Sequence, residues 1–398
     1  LGDVYKRQMI AMKNILIYFD YPITSIQGGT EQASFLLARL LVRQGFRIIF
    51  LSLHPFKEKN NEFPQYSLPD SEYLFSRRNA DFTEKLCDEQ NINFILNEGA
   101  ASDSSFFFSH AHLNTKATIV SIINFSIWEG LDHFLSLIPP SGNTWLAKLK
   151  TVARVVSAPW KKYMAIRKKK AKLNHLLEYS DKVVVLSQKY IQDCLFLTST
   201  RNAHKLYAIP NLLTFQIPES LSPGTKQNIL LYVGRLSYAD KRVDRLLSVW
   251  KKLQPVHTDW SLYIVGDGEY RENLEKISEE YHLKRIFFMG HQNPEPFYKK
   301  SKIVCLTSTH EGMPMVVNEA LAYGCIPVVF DSFHAAKEMI PDTETGRLVP
   351  AFNLKQYTKT LDGLMKERYR RPNFKVLDNY KEEMITRKWL HVLKNGNE

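Results

Sequence analysis

The sequence lacks an apolar run of the roughly 20 residues that a membrane-spanning helix needs. Residues 1–19 also lack the long apolar run and the small-residue cleavage site of a secretory signal peptide. The four cysteines are scattered, at Cys87, Cys194, Cys305 and Cys325. Because no two of them have the CxxC spacing, the sequence argues against a structural zinc site and suits a reducing compartment.

Length, composition and charge narrow the class of protein further. A chain of 398 residues exceeds one ordinary hydrophobic core, so we expect two domains. Apolar residues make up 44% of the chain and the charges are mixed, which argues against wholesale disorder. The formal charge of +12 predicts an anionic partner: nucleic acid, a phosphorylated substrate or an acidic membrane surface.

Apolar runs typical of buried strands alternate with segments of helical periodicity. The strand-like runs are KNILIYF, FRIIFLSL, INFILN, ATIVSIINF and DKVVVLS in the first half, then ILLYVGRL, WSLYIVGDG, RIFFMG, KIVCLTS and IPVVF in the second. Helical segments include GGTEQASFLLARLLVRQG, VDRLLSVWKKL and YRENLEKISEEY. This repetition predicts an α/β fold whose parallel sheets are covered on both faces.

Periodicity is lost between the halves, where HKLYAIPNLLTFQIPESLSPGTKQN gathers proline, serine and glycine. We therefore expect an N-terminal domain over 12–215, a linker over 216–228 and a C-terminal domain over 229–378. The opening LGDVYKRQ matches nothing that follows, so we expect residues 1–11 to be a non-native or disordered tail. Ligands of doubly wound sheets lie at the carboxyl ends of the strands, which predicts a shared cleft.

The segment STHEGMPMVVNEALAYGCIPVVF (308–330) places two acids around a predicted helix start. Pro314 suits the first helical turn and Gly324 the helix end, so Glu311 precedes the helix and Glu319 lies in its second turn. Unpaired N–H groups at such a start bind phosphate. Since carboxylates repel phosphate, the two acids fit hydroxyl donors on either side of it, a sugar ring and a ribose. The alternative interpretation is that Glu311 is an ordinary acid at a helix start and that Glu319 lies on a solvated face of the helix.

This segment resembles the E-x7-E motif of family 4 retaining glycosyltransferases (group 1), which have the GT-B fold. Further segments follow in the order found in that family: GGTE (28–31), IPN (209–211), YVGRLSYADKRVDRLL (232–247), LYIVGDGEYRENLE and FFMG. The similarity extends from Met12 over nearly the whole chain and is strongest over 230–350. It implies two Rossmann-like domains and a C-terminal helix, 379–398, that packs back on the N-terminal domain.

The resemblance also implies site residues. Arg235 and Lys241 would neutralise the diphosphate of a nucleotide-sugar donor, Glu311 would approach the transferred sugar, and Glu319 would bind ribose hydroxyls. Further donor-binding positions would be Gly266, Met289, Gly312, Met313, Met315 and Val316, and the acceptor-side loop would contain Gly28, Gly29 and Thr30. No cofactor is implied, since the nucleotide sugar is a substrate. A solvated turn at Arg235 and Lys241, and a plain strand-to-helix turn at the glycines, are the alternatives.

Two features bear on the catalytic chemistry. The GDGE segment (266–269) has Arg271 in place of the third glycine of a dinucleotide motif and lacks the D-x-D pattern, so we predict no catalytic metal. The family usually has a histidine after a middle strand of its first domain, where this sequence has Ile123 and Asn124. His110 and His112 lie upstream, and the sequence assigns neither to this role.

The stretch Asn143–Leu177 is strongly basic and contains no acid, with Trp145, Trp160 and Tyr163 interleaved. We expect Pro159 to separate two helical pieces there. The composition suits a helix on an anionic membrane surface, or a grip on a lipid-linked pyrophosphate. A solvated helix that covers the N-terminal sheet is the alternative.

Together with the resemblance, these features predict a hexosyltransferase that uses a nucleotide sugar, with UDP as the expected nucleotide. The resemblance alone implies that the enzyme retains anomeric configuration. The acceptor would be lipid-linked or a bacterial surface polysaccharide, and the enzyme would be cytoplasmic and peripheral on the inner face of the cell membrane. A sugar-nucleotide epimerase, a sucrose- or trehalose-type synthase and an inactive sugar-binding relative remain alternatives on the same fold. A nucleic-acid binder has no support from a recognition helix or an aromatic RNA-binding signature.

Overall fold

The computed structural model describes residues 13–22, 29–55, 62–100, 102–128, 131, 145–198, 200–213 and 226–394. The predicted tail, Gly28 and most of the predicted linker lie outside these ranges. Within them the chain forms two parallel sheets with helices between the strands, which confirms the predicted α/β class of two Rossmann-like domains.

The first sheet has seven parallel strands in the order β3-β2-β1-β4-β5-β6-β7. The second has six parallel strands in the order β10-β9-β8-β11-β12-β13. Strand bounds are β1 Asn14–Phe19, β2 Arg47–Ser52, β3 Gln65–Ser67, β4 Ile92–Asn97, β5 Thr118–Ile123, β6 Lys182–Val185, β7 Leu206–Ala208, β8 Gln227–Val233, β9 Ser261–Val265, β10 Ile286–Gly290, β11 Ser301–Leu306, β12 Ile326–Asp331 and β13 Arg347–Pro350. The chain reverses its direction of winding at β1/β4 and at β8/β11, the points where ligands of such sheets bind.

Helices connect the strands as parallel pairing requires. Their bounds are α1 Gly29–Arg43, α2 Arg77–Glu89, α3 Ser104–Phe107, α4 Trp145–Tyr179, α5 Gln188–Leu197, α6 Val243–Leu253, α7 Arg271–Glu280, α8 Glu295–Lys300, α9 Met315–Ala322, α10 Ala336–Met339, α11 Leu354–Lys366 and α12 Glu382–Lys394. The helix predicted after the first strand ends near Gly45, which has the left-handed φ of +88° that glycine adopts at low cost.

Both faces of each sheet are buried, because successive strand residues point to opposite sides. In β1, Ile15 and Ile17 belong to one hydrophobic cluster, while Leu16 and Tyr18 belong to another. The second sheet likewise has a cluster on each face. This two-sided burial explains why the strands read as continuous apolar runs rather than as alternating ones.

The described residues form two compact units. The first comprises residues up to Ile127, Ile166–Leu212 and the C-terminal segment from Glu382, whose helix α12 buries Ile385 and Trp389 in the core of the first sheet. The second comprises Trp128–Ala165 and Leu213–Lys381. Strand β8 begins at Gln227, two positions before the C-terminal domain that we predicted to start at 229.

The expectation that Pro159 separates two helices was wrong, because α4 is one helix of 35 residues with Pro159 inside it. Proline removes one backbone hydrogen bond, to the carbonyl of Val155, and the many turns on both sides maintain the helix despite that loss. None of the described helices, α4 included, is long and apolar enough to cross a membrane.

Candidate functional site

The loops after β8 and β11 meet at the switch point of the second sheet. The backbone N–H of Thr309 donates to the carbonyl of Asp240 at 2.7 Å, and Thr307 Oγ1 donates to the carbonyl of Arg242 at 3.1 Å. The buried guanidinium of Arg245 donates to the carbonyl of Thr307 at 3.1 Å. These bonds fix the loop that contains Lys241 against the loop that contains Glu311.

Lys241 and Glu311, 70 positions apart in sequence, form an ion pair at this junction. The distance from Lys241 Nζ to Glu311 Oε1 is 2.6 Å, and the two side chains are 23% and 9% exposed. Such limited exposure strengthens the attraction relative to a surface pair, but it also makes either charge costly to leave alone. The pair therefore holds one cation and one carboxylate in fixed positions just before α9.

Arg235 follows β8 and lies in a more exposed position. Its Nη2 is 3.2 Å from Asp240 Oδ2, and its side chain is 66% exposed. An exposed pair of this kind contributes little to stability. The guanidinium is thus held in the same loop as Lys241 while much of it faces solvent.

Helix α9 begins where the sequence predicted, with Pro314 as the residue before its first turn and no side chain capping that end. The predicted donor-binding residues Gly312, Met313, Met315 and Val316 surround this start, and Met313 is buried. The first N–H groups of a helix have no partner inside the helix. The first turn of α9 can therefore offer backbone N–H donors to an anion.

Glu319 lies in the second turn of α9 and is buried. The phenol of Tyr298 donates to its Oε2 at 2.6 Å. Burial, followed by the charge of Glu319, raises the pKa of Tyr298 well above its usual value, so Tyr298 remains a donor at neutral pH. The interpretation of Glu319 as a solvated acid is therefore wrong, because its carboxylate is buried and hydrogen-bonded.

Three buried polar atoms of the same loop and helix have no hydrogen-bond partner within the described part of the chain. They are Ser308 Oγ, Thr309 Oγ1 and Asn318 Oδ1. Buried polar groups normally find partners, so unpaired ones deserve an explanation. Their grouping beside Glu311 and Glu319 is what a site for a polar ligand would show.

The predicted donor-binding residues Gly266 and Met289 lie at the ends of β9 and β10. Gly266 has a φ of +142°, and a Cβ there would lie 1.9 Å from the carbonyl oxygen of Gly234. Its N–H donates to the carbonyl of Gly290 at 2.8 Å. Only glycine allows this approach of the loops after β8 and β9, and Met289 is partly buried beside them.

Of the predicted acceptor-side loop, Gly28 lies outside the described residues, and Gly29 and Thr30 are the first residues of α1. The carbonyl of Thr30 accepts a hydrogen bond from Ser34 Oγ at 3.1 Å. Of the two upstream histidines, His110 pairs with Asp181 at 2.8 Å and His112 packs against aromatic rings.

Sequence reasoning missed Glu98, which follows β4 at the carboxyl end of the first sheet. Asn124 Nδ2 donates to Glu98 Oε2 at 2.6 Å, and both residues line a small cavity beneath α12. Burial raises the pKa of Glu98, while hydrogen bonds from Asn124 and Ser34 act in the opposite direction. The sequence does contain a signal for Glu98, because this acid directly follows the apolar run INFILN and therefore lies at the end of a predicted strand.

Among the described residues, no three His, Cys, Asp or Glu side chains are grouped as metal ligands. The absence of a catalytic metal remains a prediction. The observed chemistry is that of fixed cations, backbone donors and buried carboxylates, an arrangement suited to an anionic ligand with hydroxyl groups.

Comparison with known proteins finds similarity to glycosyltransferases. Residues 214–383 match the family model described as glycosyl transferases group 1. The chain is 27% identical over 387 residues to an uncharacterized glycosyltransferase of Haemophilus influenzae, an alignment that covers 92% of this chain and 96% of that one. It is 35% identical over 228 residues to the amylovoran biosynthesis glycosyltransferase AmsD of Erwinia amylovora, covering 54% of this chain and 62% of that one.

Solved structures share the fold over almost the full length. The apo form of the lipopolysaccharide outer core galactosyltransferase WaaB superposes with a TM-score of 0.69 at 17% identity, covering 96% of this chain and 99% of that one. Anabaena HepE in complex with UDP-glucose gives a TM-score of 0.68 at 15% identity, covering 96% and 100%. At these identities the solved structures show the GT-B fold alone, and the group 1 glycosyltransferase family is supported by the match over residues 214–383.

Proposed function

We propose that this chain is a family 4 retaining glycosyltransferase that transfers a hexose from a UDP-sugar to a lipid-linked or polysaccharide acceptor. The observation that carries the proposal is the Lys241–Glu311 ion pair of 2.6 Å, held beside the start of α9 with the buried Glu319 one turn further on. The cation and the backbone N–H donors suit a diphosphate, and the two carboxylates suit the hydroxyl groups of a sugar on either side of it.

In this proposal the diphosphate lies between the two cations and the start of α9. The bond from the anomeric carbon to the diphosphate oxygen breaks, with its electron pair left on that oxygen. The anomeric carbon forms a new bond to the acceptor hydroxyl oxygen, whose proton passes to the leaving diphosphate. Charge builds up on the leaving diphosphate, so Lys241, Arg235 and the helix N–H groups stabilise the transition state more than the ground state. Glu311 then orients the transferred sugar, and Glu319 binds the ribose.

The remaining donor-side residues form the walls of the site. Gly266 lets the loops after β8 and β9 approach closely, Met289 supplies an apolar surface, and the backbone of Gly312, Met313, Met315 and Val316 faces the diphosphate and sugar. Gly28, Gly29 and Thr30 are proposed to contact the acceptor.

The choice of acceptor and donor is supported by the relatives. One is named for amylovoran biosynthesis and another is a lipopolysaccharide galactosyltransferase, while HepE was solved with UDP-glucose. Acceptors of surface-glycan synthesis are lipid-linked or polymeric and carry many hydroxyl groups. We therefore propose a cytoplasmic enzyme that works peripherally at the inner face of the cell membrane.

Helix α4 supports the proposed contact with the membrane. Its exposed apolar side chains recur at three- and four-residue intervals along one face, at Val152, Val155, Val156, Trp160, Tyr163 and Met164. Exposed basic residues, Lys161, Lys168 and Lys170 among them, stand beside this stripe. Aromatic and apolar side chains together with lysines favour an anionic bilayer surface.

The test is a panel of UDP- and GDP-sugars incubated with the purified chain, with and without a lipid extract as acceptor source. We expect release of one nucleoside diphosphate that is accelerated by acceptor, and an NMR coupling constant in the glycosidic product that matches the anomer of the donor. Interconversion of free sugar nucleotides would indicate an epimerase instead. Binding without release or transfer with any donor would indicate an inactive relative.

A further inference from the structure

Tyr298, which belongs to none of the motifs described above, forms a buried hydrogen-bonded pair with Glu319. Tyr298 lies in α8, is completely buried, and its hydroxyl is 2.6 Å from Glu319 Oε2. A phenol that donates to a carboxylate makes a charge-assisted bond, which is stronger than one between neutral groups. One oxygen of Glu319 therefore has a fixed partner.

The surroundings leave the Tyr298 ring little freedom. Its ring is stacked on that of Tyr323 with centroids 5.9 Å apart and planes 1° from parallel. Both belong to a hydrophobic cluster with Leu231, Val304 and Cys325. Because the ring is buried in this cluster, its hydroxyl holds one oxygen of the Glu319 carboxylate in place.

Lys226 fixes the backbone that supports Tyr298. Its ammonium donates to the carbonyls of Tyr298 at 2.9 Å and Ser301 at 2.7 Å, and it also contacts Cys325 Sγ at 3.3 Å. A cation at the last carbonyls of a helix satisfies groups that have no partner inside the helix. Lys226 thus holds the end of α8, and the Tyr298 phenol of that helix in turn holds Glu319.

We propose that Tyr298 is a positioning residue, which orients the Glu319 carboxylate so that it accepts hydrogen bonds from the ribose hydroxyls of the bound nucleotide. The inference rests on the ribose-binding role of Glu319 in the proposed function. A carboxylate that is free to rotate loses part of its bond to a fixed hydroxyl, whereas an oriented one is ready to bind without further ordering.

The test measures how strongly the protein distinguishes a ribose from a sugar that lacks both hydroxyls. UDP and GDP are each titrated by calorimetry beside their 2′,3′-dideoxy analogues, into the wild type and the Tyr298→Phe, Glu319→Gln and double variants. We expect the wild type to prefer the ribose form about tenfold, the size of one charged hydrogen bond. Tyr298→Phe should lose most of this preference while its affinity for the dideoxy form stays unchanged.

Tyr357→Phe is the matched control, because Tyr357 is equally buried and its hydroxyl donates to the carbonyl of Val328 at 2.6 Å, away from α9. It should keep the full ribose preference, even if its thermal midpoint falls as far as that of Tyr298→Phe. Ribose preference in Tyr298→Phe equal to that of the wild type, with Glu319→Gln impaired, would overturn the positioning role alone.

The other arms separate this inference from the proposed function. Full ribose preference in Glu319→Gln would refute the ribose role of Glu319 and the role of Tyr298 with it. Should Tyr298→Phe fail to fold, the double variant is compared with Glu319→Gln, because the amide removes the buried charge that the phenol contacts. If Tyr298 acts only through Glu319, these two variants should show the same ribose preference, and a further loss in the double variant would overturn the positioning role.

Discussion

The ammonium of Lys241 lies 2.6 Å from Oε1 of Glu311. A cation from the loop after β8 is thus in contact with a carboxylate from the loop after β11. Removal of either partner leaves the other charge with little access to water. The two residues are therefore coupled, and a variant of one also changes the setting of the other.

Lys241→Ala and Arg235→Ala should each lower turnover by on the order of 10² to 10³, because each removes a preorganised cation from the leaving diphosphate. Arg235→Lys should rescue only partly, since the planar fork is lost. Initial rates with the active donor measure this, beside calorimetry with the nucleoside, whose affinity should not change. Lys366→Ala, which removes an exposed ion pair in α11, is the control. Full activity of both site variants would mean that the diphosphate is held elsewhere.

Glu319→Ala should weaken nucleotide binding by roughly 1 to 3 kcal/mol, because hydrogen bonds to the ribose are lost. Glu311→Ala should leave nucleotide affinity nearly intact and lower the rate. Calorimetry with the nucleoside diphosphate and initial rates with the nucleotide sugar give the two quantities. Equal losses of affinity in both variants would contradict the division of roles between the two acids.

Gly266→Ala should destabilise the chain by at least about 3 kcal/mol, because the new Cβ would lie 1.9 Å from the carbonyl oxygen of Gly234 at a φ of +142°. The urea midpoint of unfolding measures the change. Gly363→Ala is the matched control: nothing lies within 4 Å of its added Cβ, inside α11. Helix propensity should make that variant more stable by about 0.5 to 1 kcal/mol. A harmless Gly266→Ala would show that the two loops separate easily.

Burial raises the pKa of Glu98 above 4.5, against hydrogen bonds from Asn124 and Ser34. Because the folded state then binds the proton more tightly, the associated stability is complete below about pH 4.5 and is lost as pH rises through the folded-state pKa. The thermal midpoint of the wild type should therefore fall relative to that of Glu98→Gln as pH is raised.

Glu62→Gln provides the control for Glu98, since the hydrogen bond from Arg39 lowers the pKa of Glu62 and the linkage has the opposite sign. Its stability difference from the wild type should be small, because the pair is exposed. Parallel pH profiles for the wild type and Glu98→Gln would show that Glu98 does not titrate differently on folding.

Binding to liposomes should require anionic lipid and weaken with salt. Changing Lys161, Lys162, Lys168, Lys169 and Lys170 to Gln should release the protein, at about 1 kcal/mol per lysine near the surface. The control changes five exposed lysines outside α4, at Lys116, Lys276, Lys284, Lys355 and Lys359, and alters the net charge equally. Equal release by both sets would assign the effect to overall charge rather than to α4. Cosedimentation with vesicles of stated composition measures each variant.

The sequence predicts most strands of both sheets, because strands buried on both faces appear as long apolar runs. The missed strands β3, β7 and β13 have three or four residues and lie at sheet edges, where one side has no partner strand. Such short segments contain too little apolar sequence to stand out. The prediction at Pro159 was wrong for a different reason. The rule that proline ends a helix considers only the neighbouring residues and not the many helical turns on both sides.

The candidate site was predictable where a motif carries it and not elsewhere. Glu311 and Glu319 are recognisable from their spacing and Lys241 from the segment around it, whereas the pairing of each acid with a residue at a distant position in the chain is not. Lys241 is 70 residues away from Glu311, and Tyr298 is 21 away from Glu319 in a different helix. Contacts of that kind depend on how strands are ordered in the sheet, which the sequence does not display.

The four native thiols have a practical consequence for measurements on this protein. Cys87, Cys194, Cys305 and Cys325 are all buried, and burial raises the pKa of each to about 11 or 12. Thiols that are neutral and shielded react slowly with maleimides and spin labels. Cysteines introduced at exposed positions such as Lys116 and Lys359, one in each unit, can therefore be labelled selectively in the otherwise natural chain. Distances between two such labels, with and without nucleotide, would follow the two units during turnover.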